Sequence, residues 1–226
     1  HRIARRQRQM CIRDSKNYSS WSLRPWLLLH AFGVPFEECI ESLAGDDLTE
    51  RLVLHSDSAR VPVLVDQDLS VWDSLAICEY LNAQYLSDRA WPQDVKERAV
   101  ARAVVAEMHA GFGALRQHMP MNCRAQREIE ISPAVRRDIQ RVDAIWSQYA
   151  RQDSQGDLRL FGGFGIADCF FAPVVMRFVT YDVAISDPAQ AYLNSLLAHP
   201  SLQQWLTDAQ QETEILSEEE VGTDRS

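Results

Sequence analysis

Residues 60–81 read RVPVLVDQDLSVWDSLAICEYL, and this stretch decides the fold of the chain. It contains an X-Pro bond, an apolar strand, a turn, a second short strand and a helix that opens with Asp73-Ser74. Cis peptide bonds are largely confined to X-Pro and usually mark a tight turn. Such a turn would leave the backbone N–H and C=O of Val61 free to pair with an extended peptide.

Asp73 and Ser74 stand where a helix presents unbonded N–H groups and the positive end of its dipole. Side chains there can hold a small ligand that carries both an ammonium and a carboxylate group. Taken alone, Val61-Pro62 also fits an ordinary loop-to-strand junction, and Asp73-Ser74 fits a plain helix cap. Their order and spacing together predict a site for a peptide-like molecule with an amino-acid head.

The composition is that of an ordinary globular protein, with 226 residues, 46% of them hydrophobic and 24% charged. A net charge of −9 argues against a nucleic-acid-binding surface, which needs clustered Lys and Arg. No apolar run approaches the roughly 20 residues that span a bilayer. The five cysteines form no CxxC pair and no zinc-like cluster with histidine, so we expect no metal and reduced thiols in a cytoplasmic protein.

The segment at 60–81 resembles the glutathione-binding half of cytosolic glutathione transferases. That family carries a Val-Pro strand and a Glu/Asp-Ser-x-Ala-Ile-x-x-Tyr-Leu helix. The resemblance covers roughly residues 16–211. It implies an α/β plus all-α protein, in which an N-terminal thioredoxin-like βαβαββα domain precedes a C-terminal all-helical bundle.

The periodicity along the chain agrees with that architecture. It predicts a helix from about Leu23 to Gly33 with Pro25 in its first turn, a strand over 34–40, a short helix over 46–55, strands over 61–65 and 69–72, and a helix over 73–85. We therefore place the thioredoxin-like domain at 16–86 and a polar linker at 87–94. The helical domain is predicted at 95–211, with helical patterns at 95–118, 133–152, 166–179, 188–197 and 200–211. Residues 212–226 are predicted to form an acidic tail, solvated or frayed.

Residues 5–14, RRQRQMCIRD, match an in-frame translation of a common sequencing-library adapter. The alternative is a genuine basic arm or a presequence rich in arginine. We interpret residues 1–15 as a non-native, adapter-derived segment, of which the match itself covers 5–14, and infer no function from its sequence. Cys11-Ile12-Arg13-Asp14 then occupies the place of the first strand, where we expect the natural gene to encode a more apolar one.

Three hydroxyls crowd the predicted start of the first helix in Tyr18-Ser19-Ser20-Trp21-Ser22-Leu23-Arg24. Alone, the cluster fits simple helix capping, with Ser22 as the cap. SSWSLR also resembles the Ser-Ser-Cys-x-x-Arg run of zeta-class glutathione transferases, with Trp21 in place of the cysteine. The resemblance implies that Ser19 stabilises the glutathione thiolate, whereas a theta-like alignment favours Ser20.

The same resemblance implies the other contacts of the site. Val61 and Pro62 present the strand that pairs with the cysteinyl part of glutathione, Asp73 and Ser74 hold its γ-glutamyl head, and Arg60 reaches its glycyl carboxylate. The electrophile is expected between the domains, against Met108, Phe112 and Arg116 at helical spacing, although such a stripe is usually core. We expect Asp168 to be structural, in a capping box with Gly165 as the N-cap.

We therefore predict a serine-type glutathione transferase that uses glutathione as co-substrate without a metal, as a cytoplasmic homodimer. It would add the thiolate to a small electrophile. Two alternatives stay open. One is a zeta-like cis–trans isomerase of an unsaturated diketo acid (the maleylacetoacetate isomerase type), which the missing cysteine argues against. The other is a protein of the same fold that binds glutathione or another ligand without turnover.

Overall fold

The structure is a computed structural model that describes residues 8–13, 15–41 and 61–225, with only the backbone for residues 11–13, 40 and 41. Four strands form the N-terminal sheet: β1 (Gln9–Arg13), β2 (Glu37–Glu41), β3 (Val63–Asp66) and β4 (Leu69–Trp72). Their order is β2-β1-β3-β4, with β1 and β2 parallel and β3 antiparallel to both of its neighbours. This is the sheet of a thioredoxin-like domain, as predicted. The helix expected at 46–55 lies outside the described residues.

Two helices pack beside this sheet, α1 (Ser20–Ala31) and α2 (Ser74–Tyr85). Helix α1 begins three residues earlier than predicted, so Pro25 lies inside it rather than in its first turn, and Ser22 is a buried helical residue rather than the cap. The earlier start follows from the turn before it, in which the Ser19 N–H bonds to the Ser15 carbonyl at 3.1 Å. The sequence pattern of apolar residues could not reveal this turn.

The C-terminal half is helical. Its helices are α3 (Val95–Ala110), α4 (Gly113–His118), α5 (Pro133–Tyr149), α6 (Ile166–Thr180), α7 (Asp187–Leu197) and α8 (Pro200–Gln211). The single helix predicted at 95–118 is divided, because Phe112 adopts a left-handed conformation with φ of 55° between two glycines. Among the described residues, none of the helices is both long enough and apolar enough to cross a bilayer.

Short strand pairs add to the helical half, where the sequence predicted none. Strand β6 (Ala150–Gln152) pairs with β7 (Leu158–Leu160), and β5 (Arg127–Glu128) pairs with β8 (Thr223–Asp224). A 3₁₀ turn over Ser217–Glu219 precedes β8. The acidic segment was predicted to be solvated or frayed. Its side chains are exposed or half-buried, but its backbone folds back and pairs with the rest of the chain.

The start of α6 joins the two halves. Asp168 is fully buried and accepts hydrogen bonds at 3.0 Å from the N–H groups of Gly165 and Leu160 and from the Tyr192 hydroxyl. Burial raises the pKa of Asp168 to about 6. Gly165 is thus the N-cap, and Asp168 reaches back to its N–H as expected; glycine has no side chain for the reciprocal bond of a full capping box. A Cβ at Gly165 would stand 2.5 Å from the Ala90 carbonyl oxygen, which explains glycine in place of a hydroxyl residue.

Candidate functional site

The N-terminus of α1 carries the two candidate catalytic hydroxyls. Ser19 is the N-cap residue and is buried, yet its side chain makes no capping hydrogen bond. Ser20 is the first helical residue and is half-buried. A helix N-terminus favours a negative charge nearby. The Ser19 hydroxyl is therefore not used to cap α1.

The neighbouring hydroxyl, that of Tyr18, is already engaged. Tyr18 donates a hydrogen bond to Glu220 at 2.5 Å and is 3% exposed. Burial, and then the bond to Glu220, raise its pKa. Because its hydroxyl is already bonded to Glu220, Tyr18 is not a candidate to activate a thiol. The candidates stay Ser19 and Ser20.

The N-terminus of α2 forms the second side of the site. Asp73 is its N-cap with φ of 74°, and its carboxylate accepts a hydrogen bond from the Leu75 N–H at 2.8 Å. Ser74 is buried at the first helical position. The Val61–Pro62 bond is cis, as the sequence predicted, and these residues lead directly into β3. Arg60 lies outside the described residues.

Arg24 connects the two helix N-termini, and sequence reasoning gave it no role in the site. Its Nη1 donates to the Ser74 hydroxyl at 3.3 Å. Its guanidinium carbon lies 4.2 Å from the ring centroid of Trp21 and 4.6 Å from that of Phe170. The sequence signal for Arg24 was its position in the SSWSLR run. Its contact with Phe170 of α6 can be seen only in the folded chain.

The electrostatic character of this region is positive. Burial, together with the nearby Arg177 and Arg116, lowers the pKa of Arg24 to about 9, so that Arg24 is still charged at neutral pH. The hydrogen bonds of the three arginines go to neutral acceptors: the Ser74 hydroxyl and the carbonyls of His109, Met119 and Pro173. Within the part of the chain that the structure describes, these bonds leave the three arginines without a hydrogen-bonded carboxylate, and such a cationic cluster attracts anionic groups.

His109 on α3 closes the site from the helical side. Its Nε2 lies 3.3 Å from a carboxylate oxygen of Asp73. Burial lowers the pKa of His109, and Asp73 acts in the opposite direction. The imidazole meets the Trp21 ring edge-on, with centroids 5.5 Å apart. An exposed indole, an imidazole and the α2 N-terminus therefore meet at the junction of the two halves, which we call the cleft.

The three residues predicted to contact the electrophile occupy different environments. Arg116 is half-buried, donates to the His109 carbonyl at 3.1 Å and lies 5.2 Å from the Trp21 ring. Phe112 is 7% exposed, at the break between α3 and α4. Met108 is fully buried in the core and presents no surface to a ligand. Only Arg116 of the three has a contact with Trp21 at the cleft.

A metal centre finds no support in the described part of the chain. There, no group of three or more His, Cys, Asp or Glu side chains is placed to bind an ion. Cys78 and Cys169 are fully buried, and burial raises the pKa of both thiols. Neither behaves as a reactive thiolate.

Two family sequence models match the chain. "Glutathione S-transferase, N-terminal domain" matches residues 18–84, and "Glutathione S-transferase, C-terminal domain" matches residues 97–208. Glutathione S-transferase 1 of Dianthus caryophyllus is 25% identical over 173 residues, which cover 74% of this chain and 76% of the relative.

Solved structures of similar proteins share the fold. A glutathione transferase homologue from Burkholderia, solved with bound glutathione, superposes with a TM-score of 0.67 at 21% identity, covering 91% of this chain and 99% of the other. A diazinon-metabolizing glutathione S-transferase of Bombyx mori gives a TM-score of 0.69 at 19% identity, covering 89% and 97%. From the two domain matches, which together span most of its length, we conclude that the chain belongs to the glutathione S-transferase family.

Proposed function

We propose that the protein binds glutathione, stabilises its thiolate with the Ser19 hydroxyl, and adds the thiolate to a small electrophile. The observation that carries the proposal is the geometry at the start of α1. Ser19 is buried at the N-cap without using its hydroxyl as a cap, five residues before the cationic Arg24. Ser20, which is more exposed, is the second candidate.

The chemistry follows from the charge of the sulfur. A thiol with a pKa of about 8.5 is only a few per cent ionised at neutral pH. A serine O–H that donates to sulfur and a helix N-terminus both stabilise the anion. A pKa lower by two units corresponds to about 2.7 kcal/mol, which one charge-assisted hydrogen bond and a helix dipole can supply. The thiol proton leaves to solvent, and the sulfur lone pair then forms the bond to the electrophilic carbon. The π electrons of the activated double bond move to the neighbouring carbon, which takes a proton from solvent.

The tripeptide would lie along the two helix N-termini. In this proposal the backbone of Val61 pairs with the cysteinyl unit, and Pro62 holds the turn that presents it. Asp73 and Ser74 bind the γ-glutamyl head, and Arg24 donates a hydrogen bond to the Ser74 hydroxyl. Arg60 keeps its proposed role at the glycyl carboxylate.

The electrophile would bind in the cleft against Trp21, which is 39% exposed and flanked by Arg24 and Arg116. Such an indole offers a flat apolar surface to a conjugated molecule. Arg116 can receive a negatively charged substituent, and Phe112 forms part of the wall at the α3–α4 break. Met108 would act by packing behind that wall.

A specific observation favours one of the alternatives as a second candidate. The arginines of the cleft bond to neutral acceptors, which suits an acidic substrate such as an unsaturated diketo acid. A cis–trans isomerase would turn such an acid over with glutathione unconsumed, because the thiolate adds and is then eliminated. Measuring glutathione consumption during turnover distinguishes isomerisation from conjugation.

The test of the primary proposal compares three serine-to-alanine variants. We expect Ser19→Ala to lower the rate of conjugation of model electrophiles by about 10-fold to 100-fold, since it removes a bond to the reacting anion. Ser20→Ala should have a smaller effect. Ser22→Ala is the matched control: its buried hydroxyl has no hydrogen-bond partner among the described residues, so its loss should leave the rate unchanged and the stability equal or higher.

Equal rates in all three variants would refute the serine mechanism. Glutathione binding without conjugation of any model electrophile, already in the unmodified protein, would instead support a binding protein of the same fold. The expected cytoplasmic location and homodimer belong to the same proposal. Light scattering on the purified protein would measure the oligomeric state.

A further inference from the structure

The loop that leads into Ser19 is buried although it is polar. Ser15, Lys16, Asn17 and Tyr18 are between 0% and 6% exposed. Buried polar groups need hydrogen-bond partners, and their absence would cost about 1–3 kcal/mol each. The partners of this loop come mainly from the last helix and the segment after it, nearly the whole chain length away in sequence.

Lys16 makes three hydrogen bonds to residues near the end of α8 and directly after it. The Trp205 indole N–H donates to the Lys16 carbonyl at 2.9 Å, and the Lys16 ammonium donates to Asp208 at 2.6 Å. The Lys16 N–H donates to Glu212 at 2.6 Å. Trp205 and Asp208 are three positions apart and so lie on the same side of α8, and Glu212 is the residue that directly follows the helix. The end of the last helix and the residue after it thus fix the position of Lys16.

Among these groups, the Glu212 carboxylate accepts the most hydrogen bonds from the loop. It accepts from the Ser15 hydroxyl at 2.6 Å, from the Lys16 N–H at 2.6 Å and from the Asn17 N–H at 3.1 Å. The Ser19 N–H bonds to the Ser15 carbonyl and closes the same turn. A carboxylate that accepts from successive N–H groups stabilises this turn, as an N-cap side chain stabilises the start of a helix.

The segment after α8 is itself fixed. Arg124 donates to the backbone carbonyls of Glu212 and Glu214. Farther along, Glu220 accepts from the Tyr18 hydroxyl and, at 2.8 Å, from the Asn122 side chain. The C-terminal segment therefore lies along the loop from Ser15 to Tyr18, with Glu212 at one end and Glu220 at the other.

We propose that Glu212 is a positioning residue, which fixes the turn over residues 15–19 and thereby the place of the Ser19 hydroxyl. The inference rests on the proposed function for its catalytic consequence, and it assigns a role to a segment that touches neither glutathione nor the electrophile. The C-terminal segment then determines the reactivity of the bound thiol. It does so through the backbone conformation before α1.

Glu212→Gln tests this role with little change in shape. The glutamine side chain has one acceptor oxygen where glutamate has two, and its NH₂ group would face N–H donors. The turn should loosen and Ser19 should shift. Because a displacement of ~1 Å can cost about 100-fold in rate, we expect kcat to fall about tenfold or more, with a smaller change in the KM for glutathione. The apparent pKa of the bound thiol should rise by roughly one unit.

Two measurements separate this proposal from the proposed function. Hydrogen exchange of the free protein over residues 15–19 reports on the turn without any ligand, and the ultraviolet absorbance of the thiolate during a pH titration reports on bound glutathione. Glu218→Gln is the matched control, since Glu218 is exposed and lies in the same segment. Ser15→Ala removes only one of the three bonds to Glu212 and serves as the milder variant if Glu212→Gln does not fold.

We expect faster exchange over residues 15–19 and a higher thiol pKa in Glu212→Gln, intermediate values in Ser15→Ala, and wild-type values in Glu218→Gln. Unchanged exchange in Glu212→Gln overturns the proposal, whatever the activity. Faster exchange with an unchanged thiol pKa also overturns it, because Glu212 would then be only structural. If the wild-type protein binds no glutathione, the proposed function and the catalytic consequence fail together, and exchange alone decides whether Glu212 fixes the turn.

Discussion

At the scale of single residues, the site depends on contacts that link distant parts of the sequence. Asp73 and Ser74 were predicted from their place at a helix start, and the structure puts them at the N-terminus of α2. Arg24 was not predicted, because its role depends on Phe170 of α6, which stacks on its guanidinium 4.6 Å away. Local spacing indicates which residues can cap a helix, but it cannot show which cation the fold brings beside them.

Arg116 offers a direct test of how the cleft selects its electrophile. We expect Arg116→Gln to lower kcat/KM for electrophiles that carry a carboxylate by about tenfold, since a charge-assisted hydrogen bond contributes roughly 1.5–3 kcal/mol. Neutral electrophiles of the same reactivity should change by less than twofold. The measurement is a pair of steady-state assays with matched acidic and neutral substrates.

The control for this variant is Arg102→Gln. Arg102 is an exposed arginine on α3 that lies 3.5 Å from Glu79, so the same charge is lost outside the cleft. Equal losses for acidic and neutral electrophiles in Arg116→Gln would argue that Arg116 acts on the fold rather than on the substrate.

At the scale of helices and strands, the type of most elements was predictable and several boundaries were not. Strand β4 and the cap of α2 agree with the sequence pattern, since alternation and capping are local signals. The break between α3 and α4 was missed, because glycines lower helix propensity by only about 1 kcal/mol each and do not by themselves require a turn. The docking of β8 on β5 depends on a partner strand far away in sequence.

The start of α6 gives a test at this scale. A Cβ at Gly165 would meet the Ala90 carbonyl oxygen at 2.5 Å, so we expect Gly165→Ala to lower the free energy of unfolding by about 1–3 kcal/mol through overpacking. At Gly163 a Cβ would have no atom within 4 Å, so Gly163→Ala is the matched control. Urea denaturation of both variants makes the comparison. Equal midpoints would mean that the Ala90 segment moves aside without cost.

The start of α8 gives a second test, through pH. His199 caps the helix by accepting from the Ser201 N–H at 3.2 Å and stacks on Phe164 with ring centroids 4.2 Å apart. Burial lowers the pKa of His199 to about 4 from its ordinary value near 6.5. Between these values the unfolded chain binds a proton that the folded chain does not. This contribution to stability is therefore present above pH 6.5 and is lost as the pH falls towards 4.

His199→Asn keeps a capping acceptor but removes the titration. We expect the variant to be less stable at pH 7 because the ring stack is lost. The dependence of its stability on pH between 4 and 6.5 should be shallower than that of the unmodified chain. Urea midpoints at several pH values would show this. A parallel pH profile in the two proteins would exclude His199 as the source of the acid sensitivity.

At the scale of the whole molecule, the two halves share one site and one core. Helix α1 packs against α6 and α8, so residues that flank the proposed thiolate site take part in the contact between the halves. The bond from Lys16 to Glu212 spans 196 residues of sequence, and no local pattern could have indicated it. The acidic segment was interpreted from its composition alone, which predicts solvation but not the positions of its partners. The interpretation of residues 5–14 as adapter-derived stays a prediction.

The central claim is that Ser19 lowers the pKa of the glutathione thiol at the start of α1. It is tested most directly by a pH titration of the thiolate absorbance near saturating glutathione in the unmodified protein, in Ser19→Ala and in Ser22→Ala. We expect a bound-thiol pKa roughly two units below 8.5 in the unmodified protein and in Ser22→Ala, and a value near 8.5 in Ser19→Ala. A bound thiol that titrates near 8.5 in the unmodified protein, or an unchanged low pKa in Ser19→Ala, would contradict the claim.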